Sequence, residues 1–213
     1  MFTAERQSKL TPAKVIKILG QGNEEFINNK LTIKNTTERV RRAANGQYPA
    51  AVVVSCLDSR VPVEDIFHCG LGDIFVARIA GNIVNSDILG SMEFACNVSG
   101  SKLVVVLGHS DCGAVKLAID GGELGNMTGL LDKIRPAVNL AKTNFKGETT
   151  SSNPEFFEIV CRTNITLMVN TIRHHSPILK EMEDKGAIKI VGAMYDIPSG
   201  KVEFFLPTFM PTT

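Results

Sequence analysis

Apolar runs without polar alternation mark the candidate strands of this chain. The first run covers residues 51–55, where Ala51 and three valines precede Ser55. A strand that is apolar at nearly every position is typical of a sheet covered on both faces, and such sheets are mainly parallel. Apolar runs predict four further strands, at residues 74–77, 102–107, 187–193 and 202–205.

Apolar residues spaced three and four positions apart predict helices between these strands. Thr11 followed by Pro12 is a favourable helix start. The sequence Gly20-Gln21-Gly22 argues against one straight helix after that start. Later helices are predicted at residues 86–98, 129–144, 154–174 and 176–185.

The alternation of strands and helices predicts an α/β fold with a mainly parallel central sheet flanked by helices. The length of 213 residues fits one domain. In this interpretation residues 1–45 form a helical N-terminal arm, and residues 46–213 form the α/β core of a single domain spanning residues 1–213.

Composition and charge narrow the class of function. The formal net charge is +1, which argues against nucleic acid or an anionic membrane surface as the main partner. No apolar stretch approaches the ~20 residues that span a bilayer, and the N-terminus lacks the apolar region of a secretory signal. Five scattered cysteines are an odd number, unlike a disulfide framework. We therefore expect a cytoplasmic protein with free thiols.

Two strand ends carry unusual polar sequences. The first strand leads into Cys56-Leu57-Asp58-Ser59-Arg60, and the third into Gly108-His109-Ser110-Asp111-Cys112-Gly113. Because the carboxyl ends of parallel strands share one edge of a sheet, Cys56, His109 and Cys112 can converge there. Two thiolates and one imidazole suit zinc, and three protein ligands leave the fourth tetrahedral position free for water.

Each of these signals is weak when taken alone. A buried cysteine at the end of an apolar strand is more often a small core residue than a ligand, by about three to one. Asp58 and Arg60 could equally form a turn with a surface ion pair worth about 0–1 kcal/mol. The occurrence of two such motifs, each after a core strand, favours the metal site.

The paired motifs resemble the signatures of the β-class carbonic anhydrases. Similarity extends from about residue 46 to residue 122 and returns at residues 191–196. The resemblance implies zinc bound by Cys56, His109 and Cys112, and reversible hydration of carbon dioxide to bicarbonate and a proton by attack of a zinc-bound hydroxide. It also implies a homodimer, often paired into a homotetramer, with the active-site clefts at the subunit interface.

The resemblance also assigns roles around the metal. Asp58 would accept a hydrogen bond from the zinc-bound water, and Arg60 would hold Asp58 ionised and oriented. In some members of the family the aspartate becomes the fourth zinc ligand in an inactive form. Mapping by spacing places the carbon dioxide and bicarbonate pocket at Gln47, Phe75, Ala80 and Phe94. Gly113 is a fifth pocket position that would expose its backbone N–H near the substrate, although a packing role for this glycine is equally open. The two phenylalanines would also suit an ordinary core.

Three other functions compete with this interpretation. A phosphatase or sulfurtransferase could use Cys56 as the nucleophile and Arg60 to bind an anion, although phosphatase loops place five residues, not three, between the two. A purely structural zinc module would need four closed ligands. A hydrolase of carbon disulfide or carbonyl sulfide could share the same zinc motifs. His68-Cys69 and His174-His175 are weaker metal or proton-transfer candidates.

Overall fold

The computed structural model describes residues 2–33 and 35–206 and is built around one five-stranded sheet. The strand order is β2-β1-β3-β4-β5, with the first four strands parallel and β5 antiparallel to β4. This confirms the predicted single-domain α/β fold. The strands are β1 (Ala51–Ser55), β2 (Ile74–Arg78), β3 (Leu103–His109), β4 (Lys189–Tyr195) and β5 (Val202–Phe205).

Ten α-helices surround the sheet within the described part of the chain. They are α1 (Ala4–Ser8), α2 (Pro12–Ile27), α3 (Thr37–Ala43), α4 (Val63–Ile66), α5 (Ser86–Glu93), α6 (Gly113–Ile119), α7 (Gly125–Leu131), α8 (Arg135–Asn144), α9 (Pro154–His175) and α10 (Pro177–Asp184). A 3₁₀ turn covers Ala80–Asn82, and a π-helical turn at Phe94–Val98 extends α5. None of the helices described is both long and apolar enough to cross a membrane.

The sheet is buried on both faces by alternate residues of the same strands. Val52 and Val54 face a cluster that contains residues of α6, α8 and α9, whereas Val53 faces a second cluster with α2 and α4. All five residues of β1 and all seven of β3 are buried. This two-sided burial is why the central strands carry apolar residues without alternation.

Helix α9 approaches the sheet closely where two strands contain glycine. A Cβ atom on Gly108 or on Gly192 would lie within 2.6 Å of a side-chain carbon of Ile165. A larger side chain at either position would force the Ile165 side chain or α9 itself to shift. The glycines therefore set the depth at which the longest helix packs against β3 and β4.

Three sequence predictions need correction in detail. The segment predicted as one helix at 129–144 is divided between α7 and α8. Pro136, near the start of α8, lacks the N–H for a helical hydrogen bond, and its ring clashes with the preceding turn, so a continuous helix is interrupted there. Strand β4 begins two residues later than predicted, since the amides of Ala187 and Ile188 bond to the Met182 carbonyl at the end of α10. Helix α2 runs without interruption through Gly20-Gln21-Gly22.

The predicted N-terminal arm contributes α1, α2 and α3, and side-chain hydrogen bonds tie these helices to the core. In α1 the buried amide of Gln7 donates to the carbonyl oxygens of Pro49 and Ser99, both at 2.8 Å. In α2, Asn23 donates to the carbonyl oxygen of Gly200 at 2.8 Å. The domain boundaries at residues 1 and 213 lie outside the described residues and stay a prediction.

Candidate metal centre

The candidate metal centre lies at the point in the sheet where the order of strand addition reverses. After β1 the chain adds β2 on one side, then crosses back to add β3 on the other side of β1. Ligand sites of open parallel sheets form in the crevice beyond the carboxyl ends of two such strands. Cys56 follows β1, His109 ends β3, and Cys112 occupies the N-cap position of α6.

The structure brings Cys56, His109 and Cys112 together. One ligand atom from each residue lies within 4.8 Å of the other two, and all three residues are buried. The two Sγ atoms are 3.9 Å apart, although the cysteines are 56 positions apart in the chain. Two sulfurs bound to one tetrahedral zinc at 2.3 Å would be separated by about 3.8 Å. The spacing of the thiols therefore fits a shared zinc ion.

The imidazole of His109 has the orientation of a metal ligand. Its Nδ1 lies 2.8 Å from the carbonyl oxygen of Ser110, to which it donates, so Nε2 carries the lone pair. Nε2 is buried and lacks a hydrogen-bond partner among the described residues. A buried polar atom without a partner is costly, and a cation beside the two thiols would satisfy it. The donor set of these residues fits zinc.

The two thiols influence each other strongly. Hydrogen bonding from Cys112 is the largest effect that lowers the pKa of Cys56 well below its ordinary value, against the opposing effect of burial. The thiolate of Cys56 and burial raise the pKa of Cys112 far above its ordinary value. One proton is thus lost readily, and the second is retained unless a positive charge compensates both sulfurs, as a divalent cation does.

Asp58 lies beside the three candidate ligands and is bound by Arg60. The guanidinium donates from Nε to Oδ1 at 3.0 Å and from Nη2 to Oδ2 at 2.7 Å, and the backbone amide of Arg60 donates to Oδ1 at 2.9 Å. These bonds lower the pKa of Asp58 to about 2. Oδ2 of Asp58 is 3.9 Å from Nε2 of His109. The carboxylate is therefore ionised and adjacent to the candidate metal position.

Sequence reasoning missed several groups that support this site. The backbone amide of Gly81 donates to Sγ of Cys56 at 3.3 Å, and Arg78 donates to the carbonyl oxygens of Cys56 and Asp58. The buried amide of Asn164 donates to the Gly81 carbonyl at 3.0 Å. Arg78, a charged residue at the end of β2, was the available signal, since β2 ends beside β1 at the same sheet edge.

Two of the five predicted pocket residues lie close to the metal ligands in the chain or in space. Ala80 begins the 3₁₀ turn that contains Gly81. Gly113 follows Cys112 as the first residue of α6, and a Cβ atom there would meet nothing within 4 Å. The backbone around Gly113 is thus open to a small molecule.

The other three predicted pocket residues lie elsewhere in the same chain. Gln47 is exposed and precedes β1, whereas Cys56 follows it, and five residues at roughly 3.3 Å each make that strand about 16 Å long. Phe75 pairs with Val52 in the early part of β1. Phe75 and Phe94 contact each other, with ring centroids 6.4 Å apart, and both line a groove of about 650 Å³ along the edge strand β2.

The remaining histidine and cysteine candidates do not join the metal group. Nε2 of His68 accepts the backbone N–H groups of Thr32 and Ile33 at 2.9 and 3.0 Å, and Nδ1 bonds to Glu25. Burial raises the pKa of the neighbouring Cys69 to about 12. His68 therefore fastens the segment after α2 to the core.

Comparison with known proteins supports the resemblance to carbonic anhydrases. The family model for carbonic anhydrase matches residues 51–202. Carbonic anhydrase 2 of Mycobacterium tuberculosis is 34% identical over 196 residues, covering 89% of this chain and 91% of that protein. The carbonic anhydrase of Mycolicibacterium smegmatis is 34% identical over 198 residues, covering 90% and 92%.

Solved structures show the same fold at lower identity. The β-carbonic anhydrase CafA of Aspergillus fumigatus gives a TM-score of 0.71 at 24% identity, with 91% of this chain and 89% of that chain covered. Tetrameric β-carbonic anhydrases of Sordaria macrospora give a TM-score of 0.72 at 22% identity, with 90% and 97% covered. With the family match over most of the sheet, these findings show that the chain belongs to the β-class carbonic anhydrase family.

Proposed function

We propose that this protein is a zinc-dependent carbonic anhydrase, which catalyses the reversible hydration of carbon dioxide to bicarbonate and a proton. The observation that carries the proposal is the meeting of three buried ligands, Cys56, His109 and Cys112, within 4.8 Å of one another. Three protein ligands leave a fourth tetrahedral position for water, as catalytic zinc sites do and structural zinc sites do not.

The residues around the ligands suit this reaction. Zinc in this position would lower the pKa of a water molecule and so supply a hydroxide nucleophile at neutral pH. Because two thiolates neutralise the charge of the cation, that effect is weaker than with three imidazoles. Asp58 would compensate by accepting the remaining proton of the nucleophile in a hydrogen bond and directing its lone pair at carbon dioxide. Arg60 keeps the pKa of Asp58 low, so this acceptor stays ionised at neutral pH.

The substrate pocket is proposed to combine two copies of the chain. Ala80 and Gly113 would belong to the copy that supplies the metal ligands, whereas Gln47, Phe75 and Phe94 would come from the other copy. The length of β1, the position of β2 at the edge of the sheet and the half-exposed ring of Phe94 support this arrangement. Gln47 would donate a hydrogen bond to a substrate oxygen, and the phenylalanines would form an apolar slot for a small uncharged gas.

A homodimer is therefore the smallest complete enzyme in this proposal, and pairing of dimers would give a homotetramer. The tetrameric relatives from Sordaria macrospora are consistent with the larger assembly. A reducing, cytoplasmic location is proposed because the described structure contains all five cysteines as free thiols.

The geometry argues against a cysteine-nucleophile phosphatase or sulfurtransferase. In such an enzyme Arg60 would have to bind the substrate anion. Here its guanidinium is already bound by the carboxylates of Asp58 and Asp111. A hydrolase of carbon disulfide or carbonyl sulfide would use the same centre, and comparison of turnover on the three gases distinguishes it from a carbonic anhydrase.

The proposal is tested by metal analysis coupled to a stopped-flow carbon dioxide hydration assay. We expect one zinc per chain and hydration that is lost on chelation and restored by zinc. The variants C56S and H109A should lose metal and turnover together. C96A is the matched control, because Cys96 is also buried but lies outside the metal group, and it should keep both. Zinc retained at one per chain in C56S, or hydration without metal, would contradict the proposal.

A further inference from the structure

The guanidinium of Arg60 is bound on two sides, and Asp58 occupies only one of them. On the far side its Nη1 donates to Oδ2 of Asp111 at 2.9 Å, and Nη2 donates to the backbone carbonyl oxygen of Asp111 at 3.1 Å. The guanidinium thus bridges two acidic residues that come from different strand ends. All of its terminal nitrogens have an acceptor among the described residues.

The backbone of Asp111 is shaped for this contact. Its φ is +59°, a left-handed conformation that side chains other than glycine seldom adopt, although aspartate tolerates it best. The preceding residue fixes the turn, because the amide of Ser110 donates to the Tyr195 carbonyl at 2.9 Å and its hydroxyl accepts from the amide of Ile197 at 2.8 Å. Asp111 is therefore anchored on β4 rather than free in a loop.

The second carboxylate oxygen of Asp111 is also engaged. Oδ1 accepts from Lys116, which lies in α6. Lys116 in turn lies over the ring of Phe157, with Nζ 5.8 Å from its centroid. These contacts hold Asp111 ionised, since Lys116 and then Arg60 lower the pKa of its carboxyl group. A chain of alternating charges therefore runs from α6 through Asp111 and Arg60 to Asp58.

We propose that Asp111 is a positioning residue that keeps Arg60 bound to Asp58 and so keeps Asp58 out of the fourth metal position. This role rests on the proposed function. The physical reason is the exposure of Arg60, whose side chain is 46% accessible. A half-exposed arginine bound only to Asp58 would exchange with water and other rotamers, and such pairs are worth little. A second carboxylate and a carbonyl on the opposite side restrict the guanidinium to one orientation.

The consequence concerns which group completes the metal site. Asp58 is already 3.9 Å from His109, so a small rotation would bring its carboxylate to the metal. Loss of the Asp111 contact frees Arg60 to leave Asp58, and the released carboxylate then competes with any external ligand for the fourth position. Asp111 would thus control access to the metal without touching it.

The test uses cobalt-substituted protein and thiocyanate as an external anion, followed by visible absorption. In D111G, which tolerates the left-handed backbone, thiocyanate should bind about 10-fold more weakly than in wild type, the equivalent of about 1.4 kcal/mol. The double variant D58N/D111G should recover the affinity of D58N, because an asparagine side chain does not compete as an anionic ligand. D120N is the matched control at the other end of α6 and should bind thiocyanate as wild type does.

Two outcomes would overturn the role of Asp111, and both can be distinguished from the result expected if the protein has no metal centre. Wild-type thiocyanate affinity in D111G would overturn it, as would a double variant D58N/D111G that stays as weak as D111G. Wild-type protein without cobalt–thiolate absorption would overturn the metal centre itself and this role together with it.

Discussion

Oδ2 of Asp58 lies 3.9 Å from Nε2 of His109 while the same oxygen accepts a hydrogen bond from Arg60 at 2.7 Å. The carboxylate is thus next to the metal ligands but committed to an arginine. A group in this position can accept a hydrogen bond from a nucleophile at the metal, and it can become a ligand if the arginine leaves. In the proposed function, the balance between these two states would decide whether the centre is active.

Replacing Asp58 by asparagine should separate metal binding from turnover. D58N should retain zinc, because the three ligands are unchanged, and should hydrate carbon dioxide at least about 100-fold more slowly, because the nucleophile loses its anionic acceptor. Metal analysis and stopped-flow hydration of the same sample measure both quantities. An unchanged hydration rate would exclude the role assigned to Asp58.

A shared active site can be tested by mixing two weakly active variants. D58N impairs the metal side of the cleft, and Q47A should impair the opposite side by about 10- to 100-fold through loss of one hydrogen bond to substrate. If each cleft takes Asp58 from one copy and Gln47 from the other, half of the sites in a mixed dimer are intact. After unfolding and refolding together at equal concentration, about one quarter of wild-type activity should return, since half of the dimers are mixed.

The control for this experiment is each variant refolded alone, which should stay at its low activity. Activity that never exceeds the average of the two separate variants would show that Gln47 and Asp58 do not act across a subunit interface.

The fold and the candidate metal ligands could be predicted from the sequence, whereas the arrangement of the pocket could not. Apolar runs such as β1 and β3 reveal two-sided burial directly, and parallel strands force their carboxyl ends to one edge, which is how Cys56 meets His109. Gln47 comes before β1 and Cys56 after it, so the two lie at opposite ends of this strand in one chain, and spacing alone does not report which copy of the chain completes a pocket. The break before α8 depends on one proline, Pro136, inside an otherwise helical apolar pattern.

Asp111, the second partner of Arg60, could not be predicted from the sequence. The Asp58-Ser59-Arg60 turn gives a local pairing that spacing can suggest. Asp111 reaches Arg60 only because its backbone is left-handed, a choice that the chemistry of an aspartate permits but does not require. Contacts that depend on a single backbone angle leave no periodic signal.

The two glycines of α2 should respond in opposite ways to alanine. A Cβ on Gly22 would lie 1.9 Å from the carbonyl oxygen of Phe67, so G22A should lower the free energy of unfolding by about 2 kcal/mol or more. A Cβ on Gly20 would meet no atom within 4 Å, so G20A should raise the free energy of unfolding by about 1 kcal/mol through better helix propensity. Urea unfolding measures both variants. Equal effects would contradict the packing of α2 against the loop after α4.

The ion pair between Glu183 and Arg173 predicts a pH-dependent contribution to stability. Burial opposes ionisation of Glu183, but Arg173 and the amide of Ile190 outweigh it and lower the pKa of this carboxyl group. A lowered folded pKa contributes stability above the unfolded value of about 4.3, and this is lost as pH falls through the folded pKa. E183A should therefore cost about 2 kcal/mol at neutral pH and progressively less in acid.

Urea unfolding of wild type and E183A across this pH range measures the difference. E181A is the control, because Glu181 lies in the same helix and pairs with Lys185 at the surface, so its loss should change stability little at any pH. A cost for E183A that stays constant down to acid pH would contradict the assigned ion pair.

Zinc K-edge X-ray absorption of the purified protein reports directly on whether Cys56, His109 and Cys112 bind one zinc ion. We expect two sulfur atoms at about 2.3 Å and two nitrogen or oxygen atoms at about 2.0–2.1 Å, one of them from the imidazole of His109. C56S should lose this spectrum together with the metal. Four sulfur ligands, a shell without sulfur, or a two-sulfur shell that persists in C56S would contradict it.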